Sequence, residues 1–477
     1  MNLLSQLTTG HVIGVVVTFI VMTAVGLYAM RKVKSSEDFS VSGRKASAAV
    51  ISGTLMGTAI GGSATIGTAQ MAFKYGLCGW WFTLGVGIGF LLLGLIMASK
   101  LYASRVETAP QFLVGTYGNA IGPISSIFTS IGIWLSIVAN GLAFVALLTS
   151  IFSITAWTAA LIGIALVFAY VLFGGVWGTG FVGVTKLIFL YFAVLICGIM
   201  SYVMMGGMEG LFARFPMHPW FSLVGRSVNQ DLAGGFSMIV GILSTQTYIQ
   251  GVLSAKSLKE ARKGTFISAF FSIPIGLGGV LVGLYMQANF PTAPSESVFP
   301  IFIIKFINPF VAGVILATLL ISAIGTWAGL TLGISTMLTK DIYKKFIRPK
   351  SSDSEVLLTQ RLMIVALCII TVIMVTGNVG SLIMGWSFLS LGLRGCAALF
   401  PLLGAMYFKR WLTPAAGVTA ALLGPLADLA WRLLNPHGLD PLYPGLIASL
   451  LSLIIVSYFT KKKPQEAPVK IFENAPN

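Results

Sequence analysis

Apolar stretches long enough to cross a bilayer recur along the whole 477-residue chain, and no other feature restricts its fold as much. About twenty such residues span the ~30 Å hydrocarbon core as a helix. Charged residues make up only 9% of the chain, against about 25% in soluble domains, so they cannot cover the surface of a water-soluble protein of this length. Disorder, nucleic-acid binding and a secreted disulfide scaffold are excluded on the same ground. The four cysteines, Cys78, Cys197, Cys368 and Cys396, are scattered through apolar segments with no CxxC, and read as small apolar residues.

Thirteen spans fit, near 10–31, 46–73, 79–102, 122–152, 154–173, 181–206, 232–251, 265–288, 309–338, 358–376, 380–406, 411–432 and 442–460. The fourth and ninth exceed the core thickness and would tilt or project beyond it. No Lys or Arg precedes the first span, while Arg31, Lys32 and Lys34 follow it; this argues against a cleaved signal peptide and puts the N-terminus outside. Of the 30 Lys and Arg residues, only Lys74, Arg214, Arg226, Lys305 and Arg432 then fall outside, and only Lys186 and Arg394 lie within spans. All the others are cytoplasmic, so the net charge of +16 reports orientation and contact with anionic headgroups, with no acidic macromolecular partner implied. The C-terminus is expected inside.

Two spans carry signs of a broken helix. The second reads Gly57-Thr58-Ala59-Ile60-Gly61-Gly62-Ser63-Ala64-Thr65-Ile66-Gly67, which suits either a mid-membrane break or close packing through small residues. The seventh carries Ser244-Thr245-Gln246-Thr247-Tyr248, polar enough for a wet cavity or for interhelical hydrogen bonds. Transporters bind ions and solutes where helices unwind. The two are five apart in span order, so they run in opposite senses, as an inverted repeat of five plus five helices requires. The chain divides into 1–45 (first helix and loop), 46–206 (first repeat), 207–231 (extracellular loop), 232–406 (second repeat), 407–460 (two further helices) and 461–477 (tail).

At this point the sequence resembles the sodium:solute symporter family, whose members have the LeuT-type inverted-repeat fold. The resemblance rests on Glu37-Asp38-Phe39 with Ser42-Gly43-Arg44, on Phe73-Lys74-Tyr75-Gly76-Leu77, on Phe173-Gly174-Gly175, on Ala255-Lys256-Ser257 through Lys263-Gly264, on Thr339-Lys340-Asp341-Ile342-Tyr343-Lys344, and on Pro401-Leu402-Leu403-Gly404. It implies an all-α membrane protein of about thirteen transmembrane helices, with one extra helix before the repeats and two after them. It also implies a sodium site between the second and ninth spans, to which Gly57, Ile60 and Ser322 would give backbone carbonyls and Thr326 a hydroxyl. Here the sequence departs from the family. Gly325 takes the place of a second hydroxyl residue, a family aspartate falls at Gly183, and a family glutamine falls at Lys186. The Lys186 amine could replace the cation, donating to Ser322, Thr326 and the broken second span, or it could snorkel to the interface. In the first case the protein would not depend on sodium, and a buried lysine able to exchange its proton would make H+ the natural coupling ion. Na+ and H+ are the candidate coupling ions; no cofactor is expected.

Arg394 lies midway along the eleventh span, where an arginine costs at least ~2.5 kcal/mol on insertion scales and a functional role is the default. It could recognise an anionic or zwitterionic solute, or it could be a structural clamp or inner gate. Asp428, the clearest intramembrane acid, has Arg432 four residues on and is expected to pair with it locally. Ala59, Ser63, Ala64, Asn140, Gln246, Tyr248 and Trp386 complete the candidate substrate pocket, with Trp134 and Ser136 beside them. His11, His218 and His437 form no metal triad, and no phosphate loop or catalytic set is present, so no enzyme is expected. The expected partners are a small solute and the lipid bilayer, with no nucleic acid and no obligatory protein. The expected function is uptake of a small polar organic solute by alternating access at a bacterial inner membrane; a solute sensor on the same fold is the alternative.

Overall fold

The computed structural model describes residues 7–30, 44–435 and 438–460, with the side chains of 26–30 and 169–182 outside that description. Arg31, Lys32, Lys34, residues 37–43, the Phe173 side chain, His437 and the tail lysines from Lys461 onward therefore lie outside the described residues. Every regular element within them is helical, and a single β-bridge joins Ala46 to Ala255.

The first half comprises α1 (Thr9–Met30), α2 (Ala48–Ala59), α3 (Thr68–Tyr75), α4 (Trp81–Leu92), α5 (Ala98–Ser104), α6 (Ala109–Tyr117), α7 (Ile121–Phe152) and α8 (Ala156–Met204). The second comprises α9 (Val228–Ser244), α10 (Gln246–Leu253), α11 (Leu258–Asn289), α12 (Val298–Phe306), α13 (Pro309–Met337), α14 (Asp353–Thr376) and α15 (Ile383–Tyr407), followed by α16 (Pro414–Leu434) and α17 (Leu442–Thr460). Local signals start several of these. Thr108, Ser227 and Ser257 cap α6, α9 and α11 through their hydroxyls, and Ser352 with Glu355 forms a capping box on α14.

The most enclosed helices are α7 and α13, which pack on each other; α15 covers α7, and α8 covers α13 and α2. Helix α1 rides on α13 through two glycines. A Cβ at Gly14 would fall 2.2 Å from the Phe310 carbonyl oxygen, and one at Gly313 2.1 Å from that of His11. With little hydrophobic drive between helices in lipid, such close backbone approach supplies the packing.

Among the described residues nine helical runs are long and apolar enough to cross a bilayer, or ten if α9 and α10, bent by 45° at their junction, are one span. Helix length thus does not establish the expected thirteen passes. The run Ser63–Ser104 continues through π and 3-10 turns without a gap, while Ala48–Ala59 and Ala156–Phe168 count only as short apolar helices. The expected fifth and sixth spans, 154–173 and 181–206, fall in one helical stretch, α8, of 49 residues, within which Gly183–Met204 is by itself long and apolar enough to cross. No proline interrupts it, and glycines alone do not stop a helix in lipid.

Candidate functional site

Both expected breaks are present, with matching backbone geometry. Helix α2 ends at Ala59; Ile60 is extended (φ −92°, ψ 92°), and a π-helical turn, Ser63–Gly67, follows Gly61-Gly62. Helix α9 ends at Ser244, and Thr245 is extended (φ −87°, ψ 125°) before α10. The first break is both open and tightly packed, so the two readings of its glycines are compatible. A Cβ at Gly61 would lie 2.3 Å from Asn140 Oδ1 and 2.5 Å from Thr326 Oγ1, and one at Gly62 would meet Ala143 Cβ at 2.4 Å. Asn140 accepts the Gly62 N–H at 2.9 Å and donates to the Ser136 carbonyl at 2.9 Å.

Lys186 reaches into this break from α8. Its Nζ donates to the Gly57 carbonyl at 2.6 Å, to the Ser322 carbonyl at 3.0 Å and to Thr326 Oγ1 at 3.3 Å. An ammonium has three protons, and here each has an acceptor. The Gly57 carbonyl is at the C-terminal end of α2, where the helix dipole favours a cation. Ser322 Oγ closes the ring by donating to the Ile60 carbonyl at 3.0 Å. Lys186 is 1% exposed, so it does not snorkel to an interface. The glycine at 183 also has a physical reason: its Cβ would fall 2.1 Å from the Gly53 carbonyl oxygen, leaving no room for an aspartate.

Arg394 occupies the second break in the same manner. From α15 it donates through Nη1 to Thr245 Oγ1 (2.7 Å), through Nη2 to Ser136 Oγ (2.7 Å) and Ser390 Oγ (2.6 Å), and through Nε to the Ser390 carbonyl (3.0 Å). It is fully buried, and Gly132 makes space for it, since a Cβ there would lie 2.6 Å from Arg394 Cγ. Its hydrogen-bond partners among the described residues are hydroxyls and a carbonyl, without a carboxylate. Of the two readings of Arg394, this geometry favours the clamp.

The other candidates separate into groups. Ser63 accepts a hydrogen bond from Ser387 at 2.9 Å, beside buried Ala59 and Ala64. Gln246 points away from them: its Oε1 accepts the Ala109 N–H at 2.8 Å and its Nε2 donates to the Glu107 carbonyl at 3.2 Å, closing one end of the bundle. Tyr248, also buried, packs edge-on against Phe90 with ring centroids 5.4 Å apart. Trp386 donates to Ser381 Oγ at 2.9 Å near the start of α15. Asp428 and Arg432 share no hydrogen bond, and Asp428 Oδ2 and Arg432 Nε are both unpartnered. The sequence reading missed Ser390 and Ser387. Ser390 stands one helical turn before Arg394, a spacing that could have marked it. It also underrated Asp341, which is buried at the closed end.

An all-helical membrane protein with two half-broken helices, each holding a buried cation at its break, is a transporter of the inverted-repeat class. The chain belongs to the sodium:solute symporter family, whose model matches residues 39–424. Among curated relatives, the high-affinity proline transporter PutP of Bacillus subtilis is 24% identical, covering 93% of this chain and 97% of that protein. The sodium/proline symporter of Escherichia coli is 21% identical over 95% and 94%. Among solved structures, a Na+-coupled sialic acid symporter in a substrate-bound outward-open state aligns with a TM-score of 0.79 at 18% identity, covering 97% of this chain and 99% of that one. At that identity it supports the fold alone.

Proposed function

We propose that this solute:cation symporter takes up a small polar organic solute, carboxylate-bearing or zwitterionic, by alternating access, and that Lys186 takes the place of the sodium ion. The observation that carries the proposal is the set of three oxygens around Lys186 Nζ, drawn from the first broken helix and α13 at a fully buried point. That ring is what a monovalent cation would need, and a fixed ammonium already fills it. Coupling then passes to H+, with Lys186 the group that can exchange a proton. The solute lies at the first break, with Ser63, Asn140 and the small residues Ala59 and Ala64 around it. Tyr248 and Trp386 complete the walls, while Gln246 closes the bundle at the end away from the solute. The end carrying Arg44, Glu107 and Asp341 is cytoplasmic, as the distribution of basic residues indicates.

Proline is the first solute to try, because relatives across nearly the whole chain are proline transporters. In proteoliposomes, uptake of labelled L-proline, and of amino-acid and organic-acid competitors, is measured with sodium replaced by choline. Uptake that persists in choline, and is lost in Lys186→Ala, supports the reading; strict sodium dependence of the unaltered protein overturns it.

A further inference from the structure

We infer that the break between α9 and α10 is a second cation seat, related to the first by the inverted repeat, and that the guanidinium of Arg394 is its resident cation. The inference rests on the reading of Lys186 as a resident cation and extends it to the other half of the molecule.

The correspondence is topological as well as chemical. Lys186 stands on the last helix of the first repeat. It ties the broken first helix of its own repeat, at Gly57, to α13, the third helix of the other repeat, at Ser322 and Thr326. Arg394 stands on the last helix of the second repeat. It ties the broken first helix of its own repeat, at Thr245, to α7, the third helix of the other repeat, at Ser136. Exchanging the two repeats exchanges the pairs of helices that the two cations join. At the first break the cation meets a carbonyl at the C-terminal end of α2, the end at which positive charge is stabilised, and at the second it meets the hydroxyl of Thr245, the residue at which α9 ends. Thr245 Oγ1, Ser136 Oγ, Ser390 Oγ and the Ser390 carbonyl make four oxygens around Arg394, a hard-cation ligand set once the side chain is removed. Neither break then has room for a mobile ion in the unaltered chain. The two side chains hold the halves together as a matched pair, and the transport cycle must release or shift both.

The test is thermal stability of the purified, full-length protein in sodium, lithium or low guanidinium chloride, each against choline chloride at equal ionic strength. Arg394→Ala is expected to gain stability in guanidinium or in sodium, while the unaltered protein responds to neither. Lys186→Ala is measured in parallel. If it responds and Arg394→Ala does not, the second seat is overturned and the first stands. If Arg394→Ala responds and Lys186→Ala does not, the second seat stands and the Lys186 reading fails. Should Arg394→Ala not fold, Thr245→Val removes one oxygen and leaves the cation in place. Its expected result is altered cysteine accessibility along α10 on a stably folded protein; accessibility equal to that of the unaltered chain overturns the inference.

Discussion

Gly61 shows how finely the first break is fitted. Its missing side chain lets Asn140 and Thr326 approach the unwound backbone from α7 and α13, and the same approach brings Thr326 to Lys186. Gly61→Ala would place a methyl group 2.3 Å from Asn140 Oδ1. Overpacking of this kind costs about 1–3 kcal/mol. If the strain falls on the solute-bound state, uptake of L-proline or its best competitor should drop by roughly fivefold to a hundredfold, while the protein still inserts and purifies. Unchanged transport by Gly61→Ala would show that the break does not shape the pocket. Lys186 and Arg394 pose the opposite problem at this scale, a charge where none is expected. Each is accommodated by neutral oxygens alone, and charge-assisted hydrogen bonds of about 1.5–3 kcal/mol offset part of the burial cost.

Among the elements, the π-helical extension of α13, Leu338–Ile347, closes one end of the bundle. Asp341 on it accepts from Thr108 Oγ1 (3.1 Å), Gln111 Nε2 (3.3 Å) and Ser126 Oγ (3.3 Å), tying it to α6 and α7, and Lys340 pairs with Glu107 beside it. Gln246 joins the same knot from α10 through the backbone of Glu107 and Ala109. Three helices and one extension therefore meet at a point that must part when the bundle opens to this side. Asp341→Ala removes an acceptor shared by three donors. Amide hydrogen exchange across residues 105–117 is expected to speed up about tenfold or more, since even one lost charge-assisted bond is worth about that factor. Protection unchanged by the substitution would assign the closure to packing alone. At the opposite end, Gln70 of α3 accepts the Ile383 N–H at 3.0 Å and donates to the Ser381 carbonyl at 3.2 Å, so the broken helix is fastened beyond its break as well.

For the whole molecule, the sidedness that the basic residues imply can be read directly. The four native cysteines are buried, so a membrane-impermeant maleimide reports only an introduced thiol. Glu209→Cys, on the short helix Gly207–Arg214 that follows α8, is expected to label in intact cells. Lys259→Cys, at the start of α11, is expected to label only after permeabilisation. The reverse pattern would invert the molecule in the membrane and with it the direction assigned to the Asp341 closure. Both introduced positions are exposed, so the substitutions should not disturb folding.

The membrane class, the two breaks and the two intramembrane cations were legible in the sequence, because each breaks a local rule. Lipid demands long apolar runs, and a glycine pair, a cluster of hydroxyls or a lone charge inside such a run stands out. Helix boundaries were less legible: the two expected spans in 156–204 fall in one helical stretch, and no proline or cap within it marks where one would end. Partners were legible only where the family resemblance supplied them, as it did Ser322, Thr326 and the broken second span for Lys186. That Gln246 faces Glu107 and Ala109, that Asp428 and Arg432 leave donor and acceptor unmatched, and that Arg394 spends its donors on Thr245, Ser136 and Ser390 depends on contacts between residues more than a hundred positions apart or on side-chain direction. Sequence determined which residues could not be left in lipid without a reason; only the tertiary structure decided which oxygens meet Arg394, because hydrogen-bond partners are fixed by distances of about 3 Å that spacing along a chain does not encode.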